Sequence, residues 1–252
     1  MRTQEKDREH FRALIAQNDK SLERFRAWMI EPSLPQDKVN NAAFAIFTTL
    51  FSKMNAQYSS GADLDPFKED LVVMLDLVER YFAGGHNKFK SRKNPDIHTY
   101  NMDTFDQLLW TLSIAFMLGL PESEFQKFAK VLEIDQVEDK LFNFILAAAI
   151  EDRGYDPEMQ ESHITEIRQT LKTAFTAEPE EAQKIVKQYI SPVWMREHRS
   201  AGWYGNHKGP GYSGYWCYEA AAVTCILGLD DSSYRDHKYY PKDLVDYYRA
   251  NQ

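Results

Sequence analysis

The sequence predicts an all-α protein, a compact helical bundle of about ten helices in two packed halves. Three observations carry this. Apolar residues recur at three- and four-residue steps in segment after segment. No stretch alternates apolar and polar residues in the way a half-buried strand requires, and no repeat of fixed period is present. Prolines and glycines fall at the edges of the periodic segments, where helices start and stop.

Residues 3–30 read as a long helix with Phe11, Ile15, Asn18, Leu22, Phe25 and Met29 along one seam, ended by Pro32 and Pro35. A second helix over about 37–57 places Val39, Ala43, Phe47, Leu50 and Met54 on one face. A third over about 65–83 does the same with Phe67, Leu71, Met74, Val78 and Phe82. Gly84-Gly85 stops it and opens a basic loop, His86 to Asp96, carrying Lys88, Lys90, Arg92 and Lys93. The fourth helix, about 103–118, presents Phe105, Leu109, Leu112 and Phe116.

Leu120-Pro121 divides the chain into an N-terminal region, 1–120, and a C-terminal region, 121–252. Nothing there has the composition of a flexible linker, so the halves are expected to pack together. Beyond it come a short helix around Phe125, Phe128 and Leu132 and a stronger one over about 136–150. Helices over about 159–174 (Ile164, Ile167, Leu171, Phe175) and 178–190 follow, the second entered through Pro179. The stretch from Gly214 to Gly228 reads as a short helix apolar on nearly every side, which places it in the middle of the fold. Trp216, Ala220, Val223 and Leu227 share one face, and Gly228 supplies a left-handed stop with Leu229 folding back. A last helix is entered through Pro241.

At 252 residues, 43% apolar and 27% charged, the composition is that of an ordinary soluble globular protein. The charged first ten residues do not form a signal peptide. The most apolar stretches, Leu108–Leu120 and Phe142–Ile150, fall short of the ~20 residues that span a bilayer. Cys217 and Cys225, eight apart on one helix, lie too far apart to bridge and read as buried free thiols. A cytoplasmic location follows from these features. No histidine spacing of a metal site is present, and no metal or cofactor is expected. A formal G-x-G-x-x-G, Gly209 to Gly214, follows no strand and reads as a plain turn.

The net charge of −8 is uneven: 15 Lys/Arg against 16 Asp/Glu in residues 1–120, and 15 against 22 in residues 121–252. Such a surface repels phosphates and suits a basic protein partner rather than nucleic acid. From Val131 to Glu161, nine acidic residues face only Lys140 and Arg153. Glu151 and Asp152 close a helix whose dipole disfavours them there, and Asp156 and Glu158 extend the acidic run. Asp230 and Asp231 form a second cluster. Such runs are ordinarily solvated surface, but the placement of Glu151 and Asp152 against the dipole marks this one as a candidate binding face.

Glu219 stands among alanines and aromatics, where a carboxylate must find donors or take up a proton. It reads either as a structural glutamate bonded to a tyrosine hydroxyl or a basic side chain, or as a general acid or base. The chain from Trp194 onward is dense in Trp and Tyr, which serve as core, as interface anchors or as sugar-stacking platforms.

The ordered segments Gly211-Tyr-Ser-Gly-Tyr-Trp-Cys-Tyr-Glu-Ala-Ala-Ala-Val223, Leu227-Gly-Leu-Asp-Asp-Ser-Ser233 and Tyr240-Pro-Lys-Asp-Leu-Val245 resemble the C-terminal half of the PoNi family. These are bacterial immunity proteins against PoNe-type DNase toxins of polymorphic and type VI secretion systems. The charged first helix, with Arg8, Phe11 and Glu23-Arg24-Phe25, resembles the family's N-terminal region more loosely. The resemblance implies an α-helical protein without enzymatic activity, a cognate DNase as partner, and structural roles for Tyr215, Trp216 and Glu219. The residues themselves put the toxin-binding face at Glu151, Asp152, Asp156, Glu158, Asp230 and Asp231. Two other classes stay open: a small helical hydrolase or lyase acting on sugars through Glu151, Asp152 and Glu219, and a helical scaffold with no toxin partner.

Overall fold

A computed structural model describes residues 1–84, 88–90, 96, 98–161, 168–209 and 211–252, with the backbone alone at 89 and 90. Helix α1 (Arg8–Met29) begins where the Asp7 carboxylate accepts the His10 N–H at 2.8 Å, as a short acidic N-cap does. It lies along α2 (Gln36–Ser60) and buries Phe11, Leu14 and Leu22. An ion pair between Lys53 and Asp19, 2.9 Å, ties the two together. α2 packs in turn on α3 (Phe67–Tyr81).

Between α3 and α4 the chain makes a small antiparallel ribbon, β1 (Lys88–Lys90) with β2 (His98–Tyr100), where the sequence predicts a loop. Three-residue strands are too short to show a period of two. Tertiary anchors hold the ribbon instead. The buried Asp135 carboxylate accepts from the Tyr100 hydroxyl at 2.7 Å and the Gly84 N–H at 2.8 Å, with Lys88 at 3.6 Å. Arg92, Lys93 and the Lys90 side chain of the basic loop lie outside the described residues.

Helix α4 (Met102–Met117) is buried on all sides, every residue from Leu108 to Ala115 included, so it runs through the centre of the molecule. α5 (Glu122–Asp135) packs on α3. α6 (Lys140–Ala149) is capped by Asp139, whose carboxylate accepts from Leu141 N and Phe142 N, both at 2.9 Å. The helix predicted over 159–174 is described only in part. Ile164 and Ile167 lie outside the described residues, and the described part turns helical only in α7 (Gln169–Lys172), running on into a 3₁₀ turn (Thr173–Thr176). α8 (Pro179–Gln188) starts on its proline as expected and continues through a π turn (Tyr189–Val193) into α9 (Trp194–Glu197).

The central C-terminal helix is α10 (Tyr218–Ile226), four residues later in its start than the periodicity predicts. Gly214 N–H donates to Asn55 Oδ1 at 2.8 Å and Cys217 N–H to the Tyr239 carbonyl at 2.8 Å. The Gly214 carbonyl accepts from Asn55 Nδ2 at 3.5 Å and Tyr218 N–H turns to the Trp216 carbonyl at 3.0 Å, so the bond that would close a first turn from Gly214 is not made and residues 212–217 run outside the helix. From Tyr218 to Cys225 every residue is buried, and the alanines let α10 approach α4 closely. Its end is the expected one. Gly228 takes φ +62°, Gly228 N–H donates to the Cys225 carbonyl and Leu229 N–H to that of Thr224. Cys217 and Cys225 are free and buried. α11 (Lys242–Ala250) closes the chain against α10. One hydrophobic core runs from Leu22 to Val245, across the Leu120-Pro121 junction.

Candidate functional site

Two constellations stand out in this fold, one in its centre and one on its surface. The central one is built around Glu219, which has no exposed surface. Its Oε2 accepts from the Trp110 indole at 2.9 Å. Its Oε1 accepts from the Trp194 indole at 2.9 Å and the Tyr189 hydroxyl at 3.0 Å. The Arg168 Nε stands 3.9 Å from the same oxygen. Arg168 is itself wholly enclosed and pairs with Asp106, whose second oxygen takes the Trp203 indole at 2.8 Å.

Burial alone would raise the Asp106 carboxyl, but the Arg168 guanidinium first, with the Trp203 hydrogen bond, outweighs it and holds it below the usual carboxylate range. Burial likewise disfavours the Arg168 charge, yet the acids beside it, Asp106 first, raise its pKa. Hydrogen-bond partners assign the His198 tautomer. Nδ1, 2.6 Å from the Trp194 carbonyl, carries the proton, and Nε2, 2.9 Å from an Arg168 nitrogen that can only donate, accepts.

The centre is therefore a buried polar network that joins α4, α9, α10 and the chain entering α7, in which Glu219 is fully bonded while the Arg168 Nε makes no hydrogen bond. Both Glu219 oxygens are occupied by indole and phenol donors, so no proton transfer to a bound substrate is open to it. Glu151 and Asp152 lie on the surface, so the three carboxylates share no cleft. The sugar-hydrolase arrangement of paired carboxylates across one bond is not formed.

The residues before α10 are as constrained. A methyl group on Gly214 would stand 2.5 Å from Asn55 Oδ1, 2.7 Å from Trp216 Nε1 and 2.8 Å from Ser59 Oγ, so no side chain fits. The Trp216 indole donates to Ser59 Oγ at 2.9 Å, and its ring meets Tyr58 edge-on at 5.0 Å. The Tyr215 hydroxyl accepts from Gly205 N–H, and its ring packs on His207 and Trp203. This clasp joins the C-terminal region to α2.

The surface constellation is the segment from Glu151 to Glu161, which returns along α6 toward that helix's start. Inward side chains fasten it. Arg153 donates to Asn143 Oδ1 at 2.9 Å, and Tyr155 packs edge-on against Phe144 and Phe175. Asn143 Nδ2 reaches Met159 Sδ at 3.3 Å. Glu161 accepts from Lys140 N–H at 2.7 Å and from Lys172 Nζ at 2.5 Å, and Lys172 also bonds Asp139 at 3.1 Å. Burial, and then Asp139, raise the Glu161 carboxyl above its ordinary value, and burial pushes the Tyr155 phenol up to about 12.

Glu151, Asp152, Asp156 and Glu158 are all exposed, so the segment presents four carboxylates outward from an internally bonded base. Asp152 takes φ +61°, a left-handed conformation that Asp tolerates better than most residues. The second predicted cluster divides. Asp230 is exposed and accepts from the Ser232 N–H and hydroxyl, both at 2.9 Å. Those bonds, the N–H first, lower its pKa. Asp231 is buried and bonds Arg249 at 2.8 Å and Arg235 at 3.2 Å, so it anchors α11 rather than facing outward.

Among the described residues no group of His, Cys, Asp and Glu side chains is arranged to hold a metal ion, and no helix is long and apolar enough to cross a membrane.

The fold is similar to the crystal structure of protein PA2201 from Pseudomonas aeruginosa, with a TM-score of 0.66 over 97% of this chain and 89% of that one. The two share 18% identity, which speaks to the fold alone. No curated protein sequence matches this chain. The family model of the PoNe immunity protein N-terminal region matches residues 4–130, and that of the C-terminal region matches residues 137–244. With both regions present in order over nearly the whole chain, this protein belongs to the PoNe immunity proteins, the PoNi family, and is an inhibitor rather than an enzyme.

Proposed function

We propose that this chain protects a bacterium from a DNase toxin by binding it in the cytoplasm and laying the 151–158 carboxylates across the toxin's DNA-binding face. Delivery of that toxin by a polymorphic or type VI secretion system belongs to the same reading. The observation that carries it is the outward row Glu151, Asp152, Asp156 and Glu158 on an inward-fastened segment. A DNase must present cationic groups to a polyphosphate. Carboxylates held in place complement that face, steer the encounter and lose little freedom on docking. Asp230 adds charge at the end of α10, and Glu219, Trp216 and Tyr215 act only by maintaining the fold.

The test is survival of cells that express the toxin together with either the native chain or a variant carrying Glu151→Lys, Asp152→Asn and Asp156→Lys. Asn is chosen at 152 because it tolerates the left-handed backbone there. The folded variant is expected to lose protection, with a loss of about 2–5 kcal/mol in binding for each buried charge pair broken. Full protection by the folded variant would place the interface elsewhere.

A further inference from the structure

We infer that the acidic face continues onto the corner between α5 and α6, where Ile134 is its apolar anchor for the basic face of the same nuclease. The inference rests on the acidic-face reading above and adds the contact that charge alone does not supply.

Ile134 is 50% exposed on the last turn of α5, and its exposure matters here because of the charges that surround it. Its sequence neighbour Glu133 is largely exposed, and its carboxylate lies 3.9 Å from the Arg153 guanidinium. Arg153 belongs to the acidic segment, so the α5 corner and that segment are parts of one surface. Glu138, exposed just before the α6 cap, stands at the same corner.

Three of the cations nearby are already engaged. Lys130, one turn before Ile134, pairs with Glu79 at 3.2 Å, Lys88 faces Asp135 at 3.6 Å, and Arg153 bonds Asn143. Neither α5 nor α6 carries a basic residue in its last turn. Glu133 and Glu151 thus both sit where a helix end already carries partial negative charge. α6 is ten residues long, so its two ends are about 15 Å apart, and acids flank both. An exposed apolar side chain in a mainly acidic border, its nearest cation Lys130 already paired with Glu79, has the desolvatable centre and polar rim of a protein interface.

The exposed apolar pair at the end of α1 does not fit this partner. Trp28 and Ile30 project at the end of α1, but the Arg24 guanidinium lies over the Phe25 and Trp28 rings at 4.9 and 5.5 Å and Arg26 follows. A cationic border there opposes a basic face.

The test measures the affinity of the full chain for its catalytically inactivated cognate nuclease, at low and at high salt. Ile134→Ala is expected to weaken binding about tenfold at both salt concentrations, as loss of an apolar anchor does. Ile134→Met, which keeps the apolar area, is expected to bind like the native chain. Glu133→Gln with Glu138→Gln is expected to weaken binding at low salt and to matter less at high salt. Because Ile134 is half exposed and Ala is the better helix former, thermal unfolding of Ile134→Ala should match the native chain. If Ile134→Ala binds within about twofold of native while neutralising Glu151, Asp152 and Asp156 weakens the complex, the α5 corner is outside the interface and this inference falls alone. If neither set weakens it, the acidic-face reading fails and takes this inference with it.

Discussion

At the scale of single residues, the fold hangs on a carboxylate buried without exposure yet left with no unsatisfied oxygen. Removing Glu219 strips Trp110, Trp194 and Tyr189 of their acceptor and leaves Arg168 with Asp106 as its remaining close acid. Breaking a buried charged arrangement from one side costs about 3–5 kcal/mol, a large share of the ~5–15 kcal/mol that holds a domain together. Glu219→Ala is expected to lower stability by that amount in urea unfolding, while the molecules that stay folded still bind the toxin. Unchanged stability with lost binding would instead place Glu219 in the interface. The need for donors around this glutamate was legible in the sequence, because a charged residue among alanines has few other solutions. A tyrosine hydroxyl is indeed one of the three. The two indoles were not foreseen, since they come from positions 109 and 25 residues away and nothing local points to them.

At the scale of elements, helical periodicity located the long helices closely: 37–57 is α2 (Gln36–Ser60) and 103–118 is α4 (Met102–Met117). It failed where tertiary partners took the backbone. The stretch 214–217 has the apolar pattern of α10, but the Gly214 carbonyl is taken by Asn55 and Tyr218 N–H turns to the Trp216 carbonyl, so the first turn is not closed there. Gly214 is the pivot of that departure, a glycine required by closeness rather than by backbone angle. Gly214→Ala forces a methyl group against Asn55, Trp216 and Ser59 and is expected to cost about 1–3 kcal/mol through overpacking. A thermal melt checks this, and a native-like transition would mean that α2 and the clasp yield more easily than their hydrogen bonds imply. The acidic segment shows the same division between what a sequence carries and what it does not. Its charge is evident, whereas the split into fastened residues (Arg153, Tyr155, Met159, Glu161) and outward ones (Glu151, Asp152, Asp156, Glu158) depends on partners across the fold. Asp230 and Asp231 look alike in sequence, yet two arginines at 235 and 249 draw only the second inward.

At the scale of the molecule, the uneven net charge is the property that joins fold to function. The family match identifies an immunity protein, and in the function proposed above the outward carboxylates let the inhibitor take the place of DNA. That mechanism makes DNA and inhibitor exclusive ligands of the nuclease, which sets it apart from inhibition at a distance from the DNA-binding face. The most direct measurement is fluorescence anisotropy of a labelled duplex bound to catalytically inactivated nuclease, titrated with this chain. The native chain is expected to release the duplex in step with its own binding. The variant neutralised at Glu151, Asp152 and Asp156 should need a far higher concentration. A stable complex of nuclease, duplex and native chain together, with cleavage by the active enzyme still blocked, would contradict occlusion.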